Sequence, residues 1–257
     1  DRYSQIGGKS PLLGWTEKLL NGLKDNSVNG SEPFFSSVNY AFRYTTPLIS
    51  HSIELLNKQE IDEVTLLPLF PHYAKAMSGS IAIEAEKAAS RFNTKLRILP
   101  AWGLHAKVIA LQSKYIAEAI AKVEAEAHVL FVAHGIPQRS VDRGEDYPIR
   151  VADTARAISH SLPETVSWSH AFQSRIGPVK WTEPYIEDEI KLHAAKDKTL
   201  VLVPISFAAD CLETLYDLDL VAADLAREAG YRHIIRVRTF NDDPEFAKIL
   251  LQIASDQ

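Results

Sequence analysis

The sequence predicts an α/β protein made of two similar Rossmann-like halves, each a parallel sheet flanked by helices. Three observations predict it. Short runs rich in Val, Ile, Leu and Phe alternate with longer amphipathic stretches along the chain. The last four apolar runs form one self-contained group. Leu66-Leu67-Pro68-Leu69-Phe70 in the first half is similar to Leu202-Val203-Pro204-Ile205-Ser206-Phe207 in the second, a short likeness of the kind a duplication leaves.

In chain order, strands are expected near residues 36–44, 64–70, 95–102, 128–135, 165–174, 199–207 and 234–240. Between them, Ser80 to Arg91 and Lys107 to Ala127 are rich in Ala, Glu and Lys with apolar residues three or four apart, the pattern of crossover helices. This gives three strands before the midpoint and four after it, so a four-plus-four arrangement requires one strand upstream of Asp1. The two similar segments would then hold the same rank, third, in their halves. The chain opens Asp1-Arg2-Tyr3, with no initiator Met and no signal-peptide pattern, and is expected to begin inside a longer gene product. A domain boundary is expected near Glu124 to His128, dividing 1–125 from 126–257. No Gly/Ser linker marks it, so close packing of the halves is expected.

Composition narrows the function classes. A chain of 257 residues, 46% hydrophobic and 24% charged, has the profile of a folded protein. Its formal charge of −5 supplies no net attraction to nucleic acid or anionic lipid. The single cysteine, Cys211, can neither close an internal disulfide nor ligate an iron–sulfur cluster alone, so a reducing cytoplasm is the expected compartment. The longest apolar runs, Val129 to Ala133 and Leu200 to Ala209, are far short of a membrane span. No basic amphipathic helix or heptad stands out, which leaves peripheral membrane contact and oligomeric state open.

Ligands of parallel sheets bind beyond the carboxyl ends of the strands, where loops and helix N-termini converge. Here those ends carry Phe70-Pro71-His72-Tyr73, Ala101-Trp102, His134-Gly135, Gln173-Ser174-Arg175, and Phe207 running into Asp210 and Glu213. Imidazole, carboxylate and guanidinium groups are all represented. Four segments, in order, carry a family resemblance: Pro68 to Tyr73 with Ser78-Gly79-Ser80; Ala133-His134-Gly135-Ile136-Pro137; Phe172 to Pro178 with Trp181; and Pro204 to Tyr216. Together with Ile6 to Leu12, they resemble ferrochelatase over most of the chain.

That resemblance implies a two-domain chelatase fold, a porphyrin held in the cleft between halves, ferrous iron as the second substrate, no tightly bound cofactor, and His134 and Glu213 facing the macrocycle. Residue chemistry agrees with it. Metallation removes two pyrrole protons and strips water from Fe²⁺, so the site needs a base and transient nitrogen or oxygen ligands. A closed four-ligand cage would hold the iron instead of passing it on. His134 ends an apolar strand before Gly135, and a neutral imidazole can accept a pyrrole proton. Glu213 has a rival, structural reading, because Asp210-Cys211-Leu212-Glu213 has the spacing of a helix capping box. Asp217, four residues on, would share a helix face with Glu213, and two like charges there read as a path for metal or protons. For Asp217 the functional and structural readings stand level.

Porphyrin also needs flat apolar walls and cations for its propionates, tasks suited to Tyr73, Ile136, Trp181 and Arg175, each of which has an ordinary core or surface alternative. Pro178, Trp181 and Pro184 would form a stiff loop able to press the macrocycle out of plane. Two departures from the family pattern are visible: Val221 where the acidic stripe usually continues, and Cys211 where His is usual. Gly8-Lys9-Ser10 lacks the glycine and preceding strand of a P-loop, and the remaining histidines lack metal-ligand spacing. Two alternatives keep the fold: a chelatase for cobalt or nickel and another tetrapyrrole, and a non-catalytic porphyrin- or metal-binding module. The choice between protoporphyrin and coproporphyrin is hidden, because the family's porphyrin-covering lip lies largely before Ile6.

Overall fold

The structure, a computed structural model, describes residues 2–27, 35–121, 123, 126–195 and 198–255. It divides into two compact units, one of Gly14–Trp102 with Asp242–Gln257 and one of Asp1–Leu13 with Gly103–Asn241.

The first unit contains most of α1 (Leu12–Ser27), then α2 (Ile49–Lys58), β1 (Glu63–Leu66), α3 (Ser80–Phe92) and β2 (Lys95–Ile98). The strands pair in parallel with Val64 opposite Leu96, and both stop short of Pro68 and Pro100, which lack the N–H a ladder needs. Ile49 and Ile53, one helical turn apart, pack with Ala85 and Ala88 of α3. The C-terminal helix Pro244–Ser255 belongs to this unit. Its Phe246 packs on Trp102 at 5.4 Å, and the carbonyl of Ala254 accepts from Arg97 Nη2 at 2.7 Å.

The second unit is built on a four-stranded parallel sheet. Along the chain come α4 (Ala106–Ile120), β3 (Ala127–His134), α5 (Gln138–Asp142), α6 (Tyr147–Ser159), β4 (Ser167–Gln173), α7 (Ile186–Leu192) and β5 (Thr199–Pro204). A π-helix, Glu213–Ala222, then runs into α8 (Ala223–Ala229), and β6 (His233–Arg236) closes the sheet in the order β4-β3-β5-β6. The inner strand β5 is buried throughout and β3 nearly so, which explains their unbroken apolar runs. Leu130, Val132, Leu200 and Leu202 form one core with Ile190 of α7 and Leu218, Ala222 and Ala226 from the π-helix and α8.

The α/β class and the two helix-flanked parallel sheets are as expected, with two differences. Residues 36–44 form no strand: the segment makes a single bridge, from Phe42 to Leu48. Without that strand the third-rank comparison of the two similar segments has no counterpart, although β1 pairs with β2 as β5 pairs with β6. Of the boundary expected near Glu124 to His128, residues 124 and 125 lie outside the described residues; the compact units change over at 102/103, which places α4 in the second. The reason is the apolar face of α4, whose Val108, Leu111, Tyr115 and Ile116 are buried, with the helix against α6 and β5. Among the described residues no helix is long and apolar enough to cross a membrane.

Candidate functional site

The carboxyl ends of β3, β4 and β5 and the start of the π-helix converge in the second unit. His134 is the last residue of β3, opposite Gln173 of β4. Its backbone is held from two sides: the N–H donates to Ser206 Oγ at 3.0 Å, and the carbonyl accepts from the Tyr147 hydroxyl at 2.9 Å. Tyr147 is wholly buried, and burial raises its phenol pKa, so it stays a neutral donor. The imidazole Nδ1 lies 2.6 Å from the Gly135 carbonyl. A carbonyl only accepts, so Nδ1 carries the proton and Nε2 is the basic nitrogen of the neutral ring. Trp181 stands edge-on to this ring, with centroids 6.2 Å apart.

Gly135 allows that closeness. A Cβ there would meet Gln173 O at 3.1 Å, Thr182 Oγ1 at 3.2 Å and Trp181 Cε3 at 3.4 Å. The next residue, Ile136, is clipped to Thr182 by its N–H at 3.1 Å and its carbonyl at 3.0 Å, and its side chain is buried.

The carboxylates come from the π-helix, a rare winding that is frequent at functional sites. Gln173 Nε2 donates to the Glu213 carbonyl at 3.0 Å, and Ser174 Oγ donates to Asp217 Oδ2 at 2.9 Å. Arg2 approaches the other Asp217 oxygen at 3.8 Å. The Asp217 pKa is raised, first by burial and also by the Glu213 charge, while the Ser174 bond, Arg2 and His134 pull it down. This carboxyl therefore feels both of the other expected site residues. Cys211 sits beside them; burial pushes its thiol up to about 12, and the neighbouring Glu213 carboxylate adds to the shift.

The capping-box reading of Glu213 does not hold. The N–H of Asp210 donates to Asn241 Oδ1 at 2.8 Å, so it is not the donor to Glu213 that a box requires. Asp210 is committed to Thr214, Asn241 and Arg236.

The remaining expected residues are distributed as follows. Arg175 is exposed, stacks over Tyr185 at 4.2 Å and pairs with Glu187 at 3.2 Å, an interaction that raises its pKa. Tyr73 belongs to the other unit, where it lines a cavity of about 260 Å³ with Phe70 and Ser78. Val221, at the position where the resemblance implies a further carboxylate, is 49% exposed. Among the described residues no three His, Cys, Asp or Glu side chains converge as a metal cage. Ser174, Ser206 and Tyr147 were not singled out from sequence. Ser174 and Ser206 fall within the family-like segments, but nothing local in the sequence marks Tyr147 as a support for residue 134.

The sequence matches the ferrochelatase family model over residues 1–257. A ferrochelatase of Synechococcus elongatus is 32% identical over 97% of this chain, which spans 66% of that protein. The mitochondrial ferrochelatase of Drosophila melanogaster is 33% identical over 99% of the chain and 69% of its own length. For a ferrochelatase of Aquifex aeolicus the values are 33%, 99% and 82%. Among solved structures, SirB from Bacillus subtilis with Fe3+ superposes with a TM-score of 0.65 at 17% identity, over 95% of this chain and 90% of that one. CbiX, described as the terminal enzyme for biosynthesis of siroheme in denitrifying bacteria, gives 0.63 at 15%, over 95% and 92%. At such identities these two bear on the fold, which is of the chelatase type.

Proposed function

Because the chain belongs to the ferrochelatase family, we propose that it is a metal chelatase that inserts ferrous iron into protoporphyrin IX or coproporphyrin III. The observation that carries this is a shared anchorage at the carboxyl rim of one parallel sheet: His134 ends β3 opposite Gln173, Gln173 binds the Glu213 carbonyl, and the next residue, Ser174, binds Asp217. Two carboxylates and an imidazole in one neighbourhood suit a reaction that takes in Fe²⁺ and a free-base porphyrin and yields metalloporphyrin and two protons.

In this reading Nε2 of His134 accepts one pyrrole proton and becomes imidazolium. The second proton goes to the carboxylate pair, where burial raises the Asp217 pKa and so favours its protonated form. Glu213 and Asp217 exchange iron-bound water for carboxylate oxygen and then release the ion to the pyrrole nitrogens. Iron is a substrate here, and no resident cofactor takes part. Trp181 supplies an apolar wall beside His134, and Arg175 meets a propionate by leaving Glu187, an exposed pair that costs little to break.

The test is anaerobic metallation of both porphyrins with Fe²⁺, and with Co²⁺ and Ni²⁺ for comparison, by the wild-type chain, His134→Ala and Glu213→Gln. Turnover with Fe²⁺ is expected, with a loss of about 10²-fold or more in each variant. Undiminished turnover in both variants, or a strict preference for a tetrapyrrole other than a porphyrin, overturns the reading.

A further inference from the structure

The acidic face of a π-helix is useful only if the helix is held at one rotation; Leu218 and Ala222 seat its inner side in the core, but the winding itself has little to hold its polar side. Its hydrogen bonds run i to i+5, a winding found mostly as single turns, yet here it covers Glu213–Ala222. No side-chain cap closes its start at Leu212. The restraint must come from outside.

On one side it is Ser174, bound to Asp217. On the other it is Arg236, the last residue of β6, in register with Leu202 of β5. Its Nε donates to Asp219 Oδ1 at 2.5 Å, and its Nη1 lies 3.0 Å from Asp210 Oδ1. One planar fork thus reaches the residue group just ahead of the π-helix and a carboxylate in its middle. Asp217 and Asp219 are two positions apart, which places them on opposite sides of a helix. The helix is therefore gripped across its width from the ends of two different strands. The Arg236 side chain is mostly buried, at 15% exposure, and its own pKa is raised by Asp219 and Asp210 against the opposing effect of burial. Asn241 and Thr214 complete the anchorage of Asp210 at 3.0 and 2.9 Å.

We propose that Arg236 is a positioning residue of the chelatase site, fixing the rotation of the π-helix so that Glu213 and Asp217 are presented to the metal. The inference rests on the chelatase reading. Arg236 touches neither substrate; it acts through Asp219 and Asp210. A Lys at 236 is a single point charge and cannot grip both carboxylates with fork geometry. Asp219→Asn removes only the arm to the helix, at a partly exposed position where folding is the smaller risk.

Arg236→Lys and Asp219→Asn are to be assayed beside the wild-type chain for metallation of protoporphyrin IX by Fe²⁺, with backbone amide exchange followed over residues 213–222 and 127–134. A displaced acidic face is expected to lower kcat/KM for Fe²⁺ by about tenfold to a hundredfold, chiefly through a raised KM for the metal. The KM for porphyrin should stay within about twofold. Amide exchange should speed up in 213–222 and not in 127–134. Loss of kcat alone with both KM values unchanged would mean only less folded enzyme, and would overturn the inference, as would wild-type exchange in 213–222. If the wild-type chain itself makes no metalloporphyrin, the chelatase reading fails, while the exchange data still decide whether Arg236 holds the helix.

Discussion

Ser174 donates its hydroxyl to Asp217 at 2.9 Å from a left-handed backbone position, with φ of 70°. A non-glycine residue there carries a cost of about 1 to 2 kcal/mol, which this structure accepts at the point where β4 delivers a donor to the acidic helix.

Two substitutions separate the strain from the bond. Ser174→Ala and Ser174→Gly both lose the hydroxyl, but only Gly relieves the backbone. Both should lower metallation alike, and the Gly variant should be the more stable of the two by about 1 kcal/mol in urea unfolding. Equal stability would mean that the left-handed position is not strained.

Gly135→Ala tests the close approach beside His134. The added methyl would press on the Gln173 carbonyl and the Thr182 hydroxyl, with Trp181 next. Destabilisation of about 1 to 3 kcal/mol is expected, with a shift in Trp181 fluorescence. A neutral effect on both would show that the strand ends have room to part.

Cys211 should be inert. With its thiol raised to about 12 by burial and by Glu213, almost no thiolate exists at neutral pH. Iodoacetamide should modify the unfolded chain far faster than the folded one, as read by mass spectrometry, and equal rates would contradict this environment.

His128 predicts an acid limb of stability. It is fully buried, lies between Ser167 Oγ at 2.9 Å and Ser169 Oγ at 3.0 Å, and stacks on His193 at 4.1 Å. Burial, then the His193 and Lys198 charges, lower its pKa from 6.5 to about 3. The unfolded chain therefore takes up the proton first. Stability from this group is complete above 6.5 and is lost as pH falls from there toward about 3. Between pH 7 and pH 5 the loss should be about 2 kcal/mol, and His128→Asn should remove most of that slope. A variant with the wild-type pH dependence would sink the assignment.

How much was legible beforehand differs by residue. His134 and Glu213 stood out because each follows an apolar run with a motif around it, and periodicity also located β3, β5 and α3. The 36–44 segment misled because an apolar run states what can be buried and not whether a neighbouring strand is there to pair with it. The capping-box spacing at Asp210, the rival reading of Glu213, fails for a related reason. Asn241, thirty-one residues away, takes the backbone donor that a local motif would have used.

The amino-acid order alone decided the α/β class, the rim on which the chemistry-bearing residues fall, and the family, since these follow from short-range pattern and motif order. Only the folded chain decided that Nδ1 of His134 is the protonated nitrogen and that Asp217 is met by Ser174. It also decided that Arg236 grips Asp210 and Asp219, and that α4 belongs with the four-stranded sheet. Each of these depends on partners far apart in the chain, whose meeting is set by which buried faces pack together and not by the residues next door.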